Sequence, residues 1–452
     1  MPDSLTMARL RSGSLVARPL MPLVLALWGC GSLSDPLRLY EPAIGSPGPR
    51  PPAFLNLPSE TGAVPRAPAP LPPGLDADAA AAARADAYAQ ALAAGEAAGF
   101  PTLLSETGVF SDLLSLTPRA GLIAYDLQAP LWSDGAYKVR WVSLPEYGAV
   151  HAPDAGPWQF PEGTIFVKHF EMAFDEQQPE VRQRLETRLL VAASSGDYYG
   201  VTYKWNEAQT DATLVLEKDI ESLPINDADG NPEQYLFPGP NDCRTCHAAS
   251  AGHVLGVHTR QLNKEMTYLP GTAAVNELVA WSGWGLLADT VFDNTAAEAS
   301  PQLAALGDED ASLEDRVRSY WDGNCSMCHA GADGTQPGWD ARFSTSLDAQ
   351  GVFAAPSQRR PDVSLLITPG DKEHSYIYVR GTSNQPGVRM PPLGRYVADD
   401  KYLDVLGRWI DSLPPNPELA TGDAPDMEPA RSDSSDTSPS NMGASNTEQT
   451  SK

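Results

Sequence analysis

Cysteine occurs five times among 452 residues, and four of those five fall into two units of one pattern: Cys243-Arg244-Thr245-Cys246-His247 and Cys325-Ser326-Met327-Cys328-His329. With 5 Cys and 7 His in the chain, one Cys-x-x-Cys-His unit is expected by chance on the order of 0.001 times, so two are not a coincidence. Two thiols at this spacing can add across the two vinyl groups of a tetrapyrrole, and an imidazole directly after them can take one axial position on its iron. The pattern therefore predicts two covalently bound haem c groups. Cys243, Cys246, Cys325 and Cys328 are the attachment residues, and His247 and His329 the iron ligands. A zinc ribbon has no need of a histidine after each second cysteine, and a thioredoxin-like pair belongs in a βαβ unit that the patterning does not offer.

The fifth cysteine has its own setting. Arg9, Arg11 and Arg18 precede an apolar run from Leu20 to Trp28, too short to span a bilayer and typical of a secretory signal. The run ends in Leu27-Trp28-Gly29-Cys30. This resembles a bacterial lipobox, with Trp28 where a small residue is usual, and the resemblance implies a signal peptide over 1–29 and membrane attachment through a lipid on Cys30. Gly31, rather than Asp, follows and favours the outer membrane. The expectation is an extracytoplasmic, periplasm-facing lipoprotein, which agrees with haem c being attached outside the cytoplasm.

The formal charge of −26, from 58 acidic against 32 basic residues, repels nucleic acid and favours basic or neutral protein partners. Composition then divides the chain. Residues 30–103 read as a Pro- and Ala-rich tether with a spacer helix from Ala77 to Gly99. Residues 104–235 alternate apolar and polar positions with β-branched and aromatic enrichment, predicting roughly 6 to 9 antiparallel strands. The clearest hairpin sets Leu185–Val191 against Tyr199–Trp205. Residues 236–300 carry the first haem c unit, 301–414 the second, and 415–452 a polar tail of disordered composition. The predicted fold class is α+β multidomain: an N-terminal antiparallel β-sandwich or barrel-like domain followed by an all-α cytochrome c region with two haem c sites.

The second unit has the fuller surroundings. A helical pattern ending in Tyr320-Trp321-Asp322-Gly323-Asn324 runs into Cys325, and an amphipathic helix with Tyr402, Val405, Leu406, Trp409, Ile410 and Leu413 on one face follows a long loop. This order resembles class I cytochrome c. The resemblance implies Met390, in Arg389-Met390-Pro391-Pro392, as sixth ligand of the second iron, where a thioether favours the ferrous state. The first unit has no such loop; Met266, His258, His253 and His169 are candidate sixth ligands, and an open position is the remaining possibility. Arg260 and Arg389 are candidate partners of haem propionates.

The stretches Leu104–Phe110, Ala129-Pro130-Leu131-Trp132-Ser133-Asp134-Gly135, Phe160–Thr164, Leu185–Leu190, Tyr203–Asn206, Asn241–Cys243 and Thr259–Asn263 resemble a little-characterised family of bacterial diheme c-type cytochromes with an N-terminal β-rich domain. That resemblance spans about Leu104 to Leu413 and implies electron transfer with unidentified redox partner proteins. Trp132, Asp134, Glu186, Arg188, Trp205 and Asn206 are candidates for a binding surface or a haem edge in the β-rich part. The reading favours an electron carrier over an enzyme. The alternative is a diheme peroxidase or oxidase-like enzyme with an open first haem, and a third reading has the β-rich part bind a saccharide or cell-wall partner.

Overall fold

A computed structural model describes residues 100–415 apart from 120, 146–147, 154–155, 176, 194–195, 197, 227–231, 269–271, 335–337 and 355–364. The signal peptide, Cys30, nearly all of the tether with its spacer helix, and all but the first residue of the tail lie outside the described residues.

After a small pair, β1 (Phe110–Asp112) and β2 (Thr117–Pro118), six strands pair in chain order: β3 (Ile123–Tyr125), β4 (Tyr137–Ser143), β5 (Ile165–Ala173), β6 (Arg182–Ala192), β7 (Tyr198–Trp205) and β8 (Ala212–Val215). All are antiparallel, so each is joined to the next by a local connection. The two-residue period sorts their side chains onto two faces. Trp141, Val167, Leu189 and Val201 are register partners across β4 to β7 on one face. They pack with Leu104, Phe110 and Leu116 from the preceding segment. Ile123, Val142, Phe166 and Leu190 are register partners on the other face, and what covers them is the stretch after the first Cys-x-x-Cys-His unit: Val254, Val257, Leu262, Leu278 and Trp281.

The expected hairpin forms as β6 and β7, with Leu189 opposite Val201 and Thr187 opposite Tyr203. Leu185 departs from it. A register shift between Phe170 and Glu171 leaves one extra residue on β6, and a bulge of this kind moves a side chain to the other face. Leu185 joins Phe170 and Met172 against Leu223, Tyr235 and Phe237, which come from the hairpin of β9 (Asp219–Asn226) and β10 (Pro232–Phe237).

Seven α-helices occur among the described residues: α1 (Pro240–Cys246), α2 (Thr259–Leu262), α3 (Glu277–Gly283), α4 (Asn294–Ala299), α5 (Leu313–Asn324), α6 (Tyr376–Thr382) and α7 (Asp400–Ser412). Only α5 and α7 exceed ten residues. Ser312 caps α5, its Oγ accepting from the Asp315 amide at 3.0 Å, and Asp399 caps α7 through the Tyr402 amide at 3.1 Å. The two helices meet through the stacked rings of Tyr320 and Tyr402, 3.8 Å between centroids, and the Trp321 indole donating to the Tyr402 hydroxyl at 2.7 Å.

This architecture overturns the predicted α+β division into a β-sandwich or barrel-like domain and an all-α cytochrome c region. The described residues are mostly β, with one open six-stranded antiparallel sheet, three two-stranded pairs and mainly short helices. The layer across one face of the sheet is the segment after the first Cys-x-x-Cys-His unit, which also holds a strand pair, β11 (Glu265–Met266) with β12 (Val275–Asn276). The physical reason is that alternation marks strands without saying what buries their apolar face. Here short helices and irregular chain do so, and a core is shared where two were expected.

Candidate functional site

The first unit rides on the sheet. Proline at the first helical position starts α1, and the Asp242 carboxylate accepts from the Gly239 amide at 3.0 Å. A Cβ added to Gly200 of β7 would stand 2.8 Å from Cys243 Cβ and 3.0 Å from its Sγ, so glycine there is what lets α1 lie directly on the strand. His247 ends the helix. Its Nδ1 donates to the His253 carbonyl at 2.6 Å, and the His253 Nδ1 donates back to the His247 carbonyl at 3.2 Å. His253 holds this geometry with φ of +61° and its ring stacked on Tyr198, 5.0 Å between centroids.

A carbonyl can only accept, so the proton of His247 sits on Nδ1 and its Nε2 carries the lone pair. Burial holds the imidazole neutral, pulling its pKa down to about 4. That is the ligand form of histidine, with the other nitrogen fixed by a main-chain carbonyl as metal-binding histidines have it. Burial also pushes the Cys243 and Cys325 thiols up to about 12. All four cysteines are free thiols rather than disulfides. The donor set of two reduced thiols and a neutral imidazole whose Nε2 carries the lone pair fits covalent haem at the first unit.

The second unit follows α5, with the His329 amide bonded to the Cys325 carbonyl at 2.9 Å and the His329 ring lying 5.2 Å from that of Trp339. Burial raises the Cys246 thiol, and the next influence on it is the charge of Cys328. The two units, 82 residues apart by their histidines (329 minus 247), are therefore neighbours in space.

The Ala129–Asp134 loop joins them, and its role was not apparent in the sequence. Gln261 of α2 exchanges two side-chain bonds of 2.8 Å with the Ala129 main chain. On the other side, a Cβ on Gly323 would stand 2.1 Å from the Ala129 carbonyl oxygen, so α5 approaches this loop as only glycine permits. Asn324 accepts from the Trp132 amide at 2.7 Å, and the Trp132 indole donates to the Val397 carbonyl at 3.0 Å. Asp134, buried and at φ +50°, accepts from the amides of Tyr396 and Val397 at 2.7 and 2.8 Å. One loop thus grips α2, which follows the first Cys-x-x-Cys-His unit, α5, which runs into the second, and the segment that follows Met390. Trp132 and Asp134, sequence candidates for a binding surface, are clamp residues here.

The remaining candidates scatter. The main chain of Met390 is held at both ends, its amide bonded to the Arg380 carbonyl at 3.1 Å and its carbonyl accepting from Arg395 at 2.7 Å. His169 is buried on the sheet face opposite α1, bonded to Thr187 at 2.7 Å and edge-on to Trp205. The sheet separates it from His247. His253 stands on the His247 side as a positioning group. His258 and Arg260 both pair with Asp322, at 3.2 and 3.4 Å, and this tie joins α2 to α5. Met266 is buried in β11. Arg389 lies over the Tyr396 ring at 4.2 Å. Glu186 is fully buried between Arg188, at 2.9 and 2.5 Å, and the Tyr235 hydroxyl at 2.7 Å, beside Cys243. Asn206 stabilises the turn to β8 through the Thr210 amide at 3.0 Å.

Among the described residues no three His, Cys, Asp or Glu side chains converge on a site for a bare metal ion. No protein family, curated protein or solved structure matches the chain.

Proposed function

We propose that the chain is a diheme c-type cytochrome lipoprotein that carries electrons outside the cytoplasm, one haem held by Cys243, Cys246 and His247 and the other by Cys325, Cys328 and His329. The observation that supports it most is the nearness of the two units, with Cys246 and Cys328 within electrostatic reach of each other, on top of a His247 whose tautomer is set for an iron ligand.

Each haem, when bound, supplies a one-electron ferric–ferrous couple. The residues of the chain do the rest. His253 fixes the rotation of the His247 ring through its carbonyl and keeps the Nε2 lone pair available. Gln261, Gly323 and Trp132 lock the two units to one loop, so their separation is held rigidly, as efficient transfer between fixed centres requires. Met390, on a main chain pinned by Arg380 and Arg395, would supply a thioether ligand to the iron of the second unit. The excess of acidic residues suits a basic redox partner, and a lipid on Cys30 would keep the carrier at the membrane.

Mass spectrometry of the protein matured with a c-haem attachment system tests this reading. Two haem adducts are expected, and one in a Cys325→Ala/Cys328→Ala variant. A chain with no adduct, or with bound zinc instead, overturns it.

A further inference from the structure

The face of the sheet that meets the first unit carries a row of cations. Arg140 of β4 is opposite Lys168 of β5, and Lys168 is opposite Arg188 of β6; Lys138 shares the face, two residues along β4. Like charges directly across neighbouring strands repel, and the chain answers only part of that charge. Glu186 neutralises Arg188, and Asp126 takes one nitrogen of Arg140 at 2.9 Å. The other two nitrogens of Arg140, a residue 3% exposed, are buried with no hydrogen-bond partner in the chain. Neither Lys138 nor Lys168 has a carboxylate within ion-pair distance among the described residues. Lys168 has instead the face of Phe170 at 5.0 Å.

The row lies beside the haem unit. Lys168 acts electrostatically on both His247 and Cys246, and Arg188 on Cys243, Cys246 and His247. Burial first, and then the neighbouring cations, draw Lys138 down to about 7 and Lys168 well below its ordinary range. Buried charges of one sign persist in proteins where an opposite charge meets them. Two lysines without an acid of their own, flanked by a guanidinium with free donors, call for a group with two carboxylates.

We propose that Lys138, Arg140 and Lys168 seat the two propionates of the tetrapyrrole attached at Cys243 and Cys246. This rests on the diheme reading above. It sets these three residues beside Arg260, whose Nη1 pairs with Asp322 at 3.4 Å, as propionate partners at the first unit. The seat would orient the ring over the sheet and set the potential of that centre, since a nearby cation disfavours the ferric state.

Redox titration of the full-length matured protein provides the test, with Lys168→Gln, Lys138→Gln and Lys168→Arg compared with the unaltered chain and haem adducts counted by mass in each. The seat predicts two adducts throughout. It also predicts that in Lys168→Gln one of the two transitions moves toward the oxidised form by about tenfold, or about 59 mV for one electron, while Lys168→Arg stays within twofold. Two adducts with both transitions within twofold in the two glutamine variants overturn the seat and leave the diheme reading standing. No adduct in the unaltered chain overturns both. A potential in the unaltered chain that follows added inorganic phosphate assigns the cations to a free anion and overturns the seat.

Discussion

The His247 imidazole donates through Nδ1 to the main-chain carbonyl of His253, six residues on, at 2.6 Å. The return bond from the His253 ring to the His247 carbonyl closes a small loop around a residue in the left-handed region. Histidine tolerates that region better than β-branched residues do. Replacing His253 by Val is expected to cost about 1–3 kcal/mol, while His253→Gly keeps the backbone geometry and the carbonyl. Urea denaturation of the two variants decides between this account and one in which only the ring matters, where both would lose equally.

Gly323 leaves no room for a side chain against the Ala129 carbonyl. Because the obstacle is backbone, Gly323→Ala must displace either α5 or the loop, and the expected loss is about 3 kcal/mol. A thermal or urea midpoint that implies a change below about 0.5 kcal/mol, the range of ordinary surface substitutions, would show that the two do not approach as described.

Burial raises the Asp134 carboxyl to about 6, against the lowering effect of the Val397 and Tyr396 amides. An acid whose pKa rises on folding binds its proton more tightly when folded. Its contribution to stability is therefore fully present below 3.8 and is lost as pH climbs through about 6. Asp134→Asn keeps an acceptor for both amides and should flatten this part of the stability profile between pH 4 and 6. Asp134→Ala leaves both amides unanswered and should cost about 2 kcal/mol. An asparagine variant with an unaltered pH slope would refute the assignment.

Leu278 of α3 and Val142 of β4 are both fully buried in one core. Leu278→Ala is expected to lower stability by about 2–5 kcal/mol, and Val142→Ala by less. Both should shift the same cooperative unfolding transition. Two separate transitions, with each variant moving only one, would mean that the sheet and the first haem-unit segment fold independently.

If Met390 supplies the sixth ligand of the second iron, Met390→His moves one of the two redox transitions toward the oxidised form by tenfold or more, because imidazole favours ferrous iron less than a thioether does. The other transition stays in place. Potentiometry in which neither moves would remove Met390 from the ligand set.

The chemistry proposed for this protein rests on local sequence. Each Cys-x-x-Cys-His unit is five consecutive residues, and the pairing of β6 with β7 likewise depends on neighbours in the chain, so spacing and periodicity were enough to read them. What they could not show was which element lies against which. The apolar face of the sheet finds its cover in residues 254–292, and the cytochrome-like division of the fold failed because alternation along a strand carries no label for the partner that buries it. Trp132 and Asp134, candidates by sequence for a binding surface or a haem edge, lie in a loop that Gln261, Gly323, Asn324 and Val397 enclose. The row of Arg140, Lys168 and Arg188 is scattered over 49 positions of sequence (188 minus 139) counted inclusively. It exists only because strand register aligns the three residues across β4 to β6, with Lys168 and Arg188 close enough to act on His247.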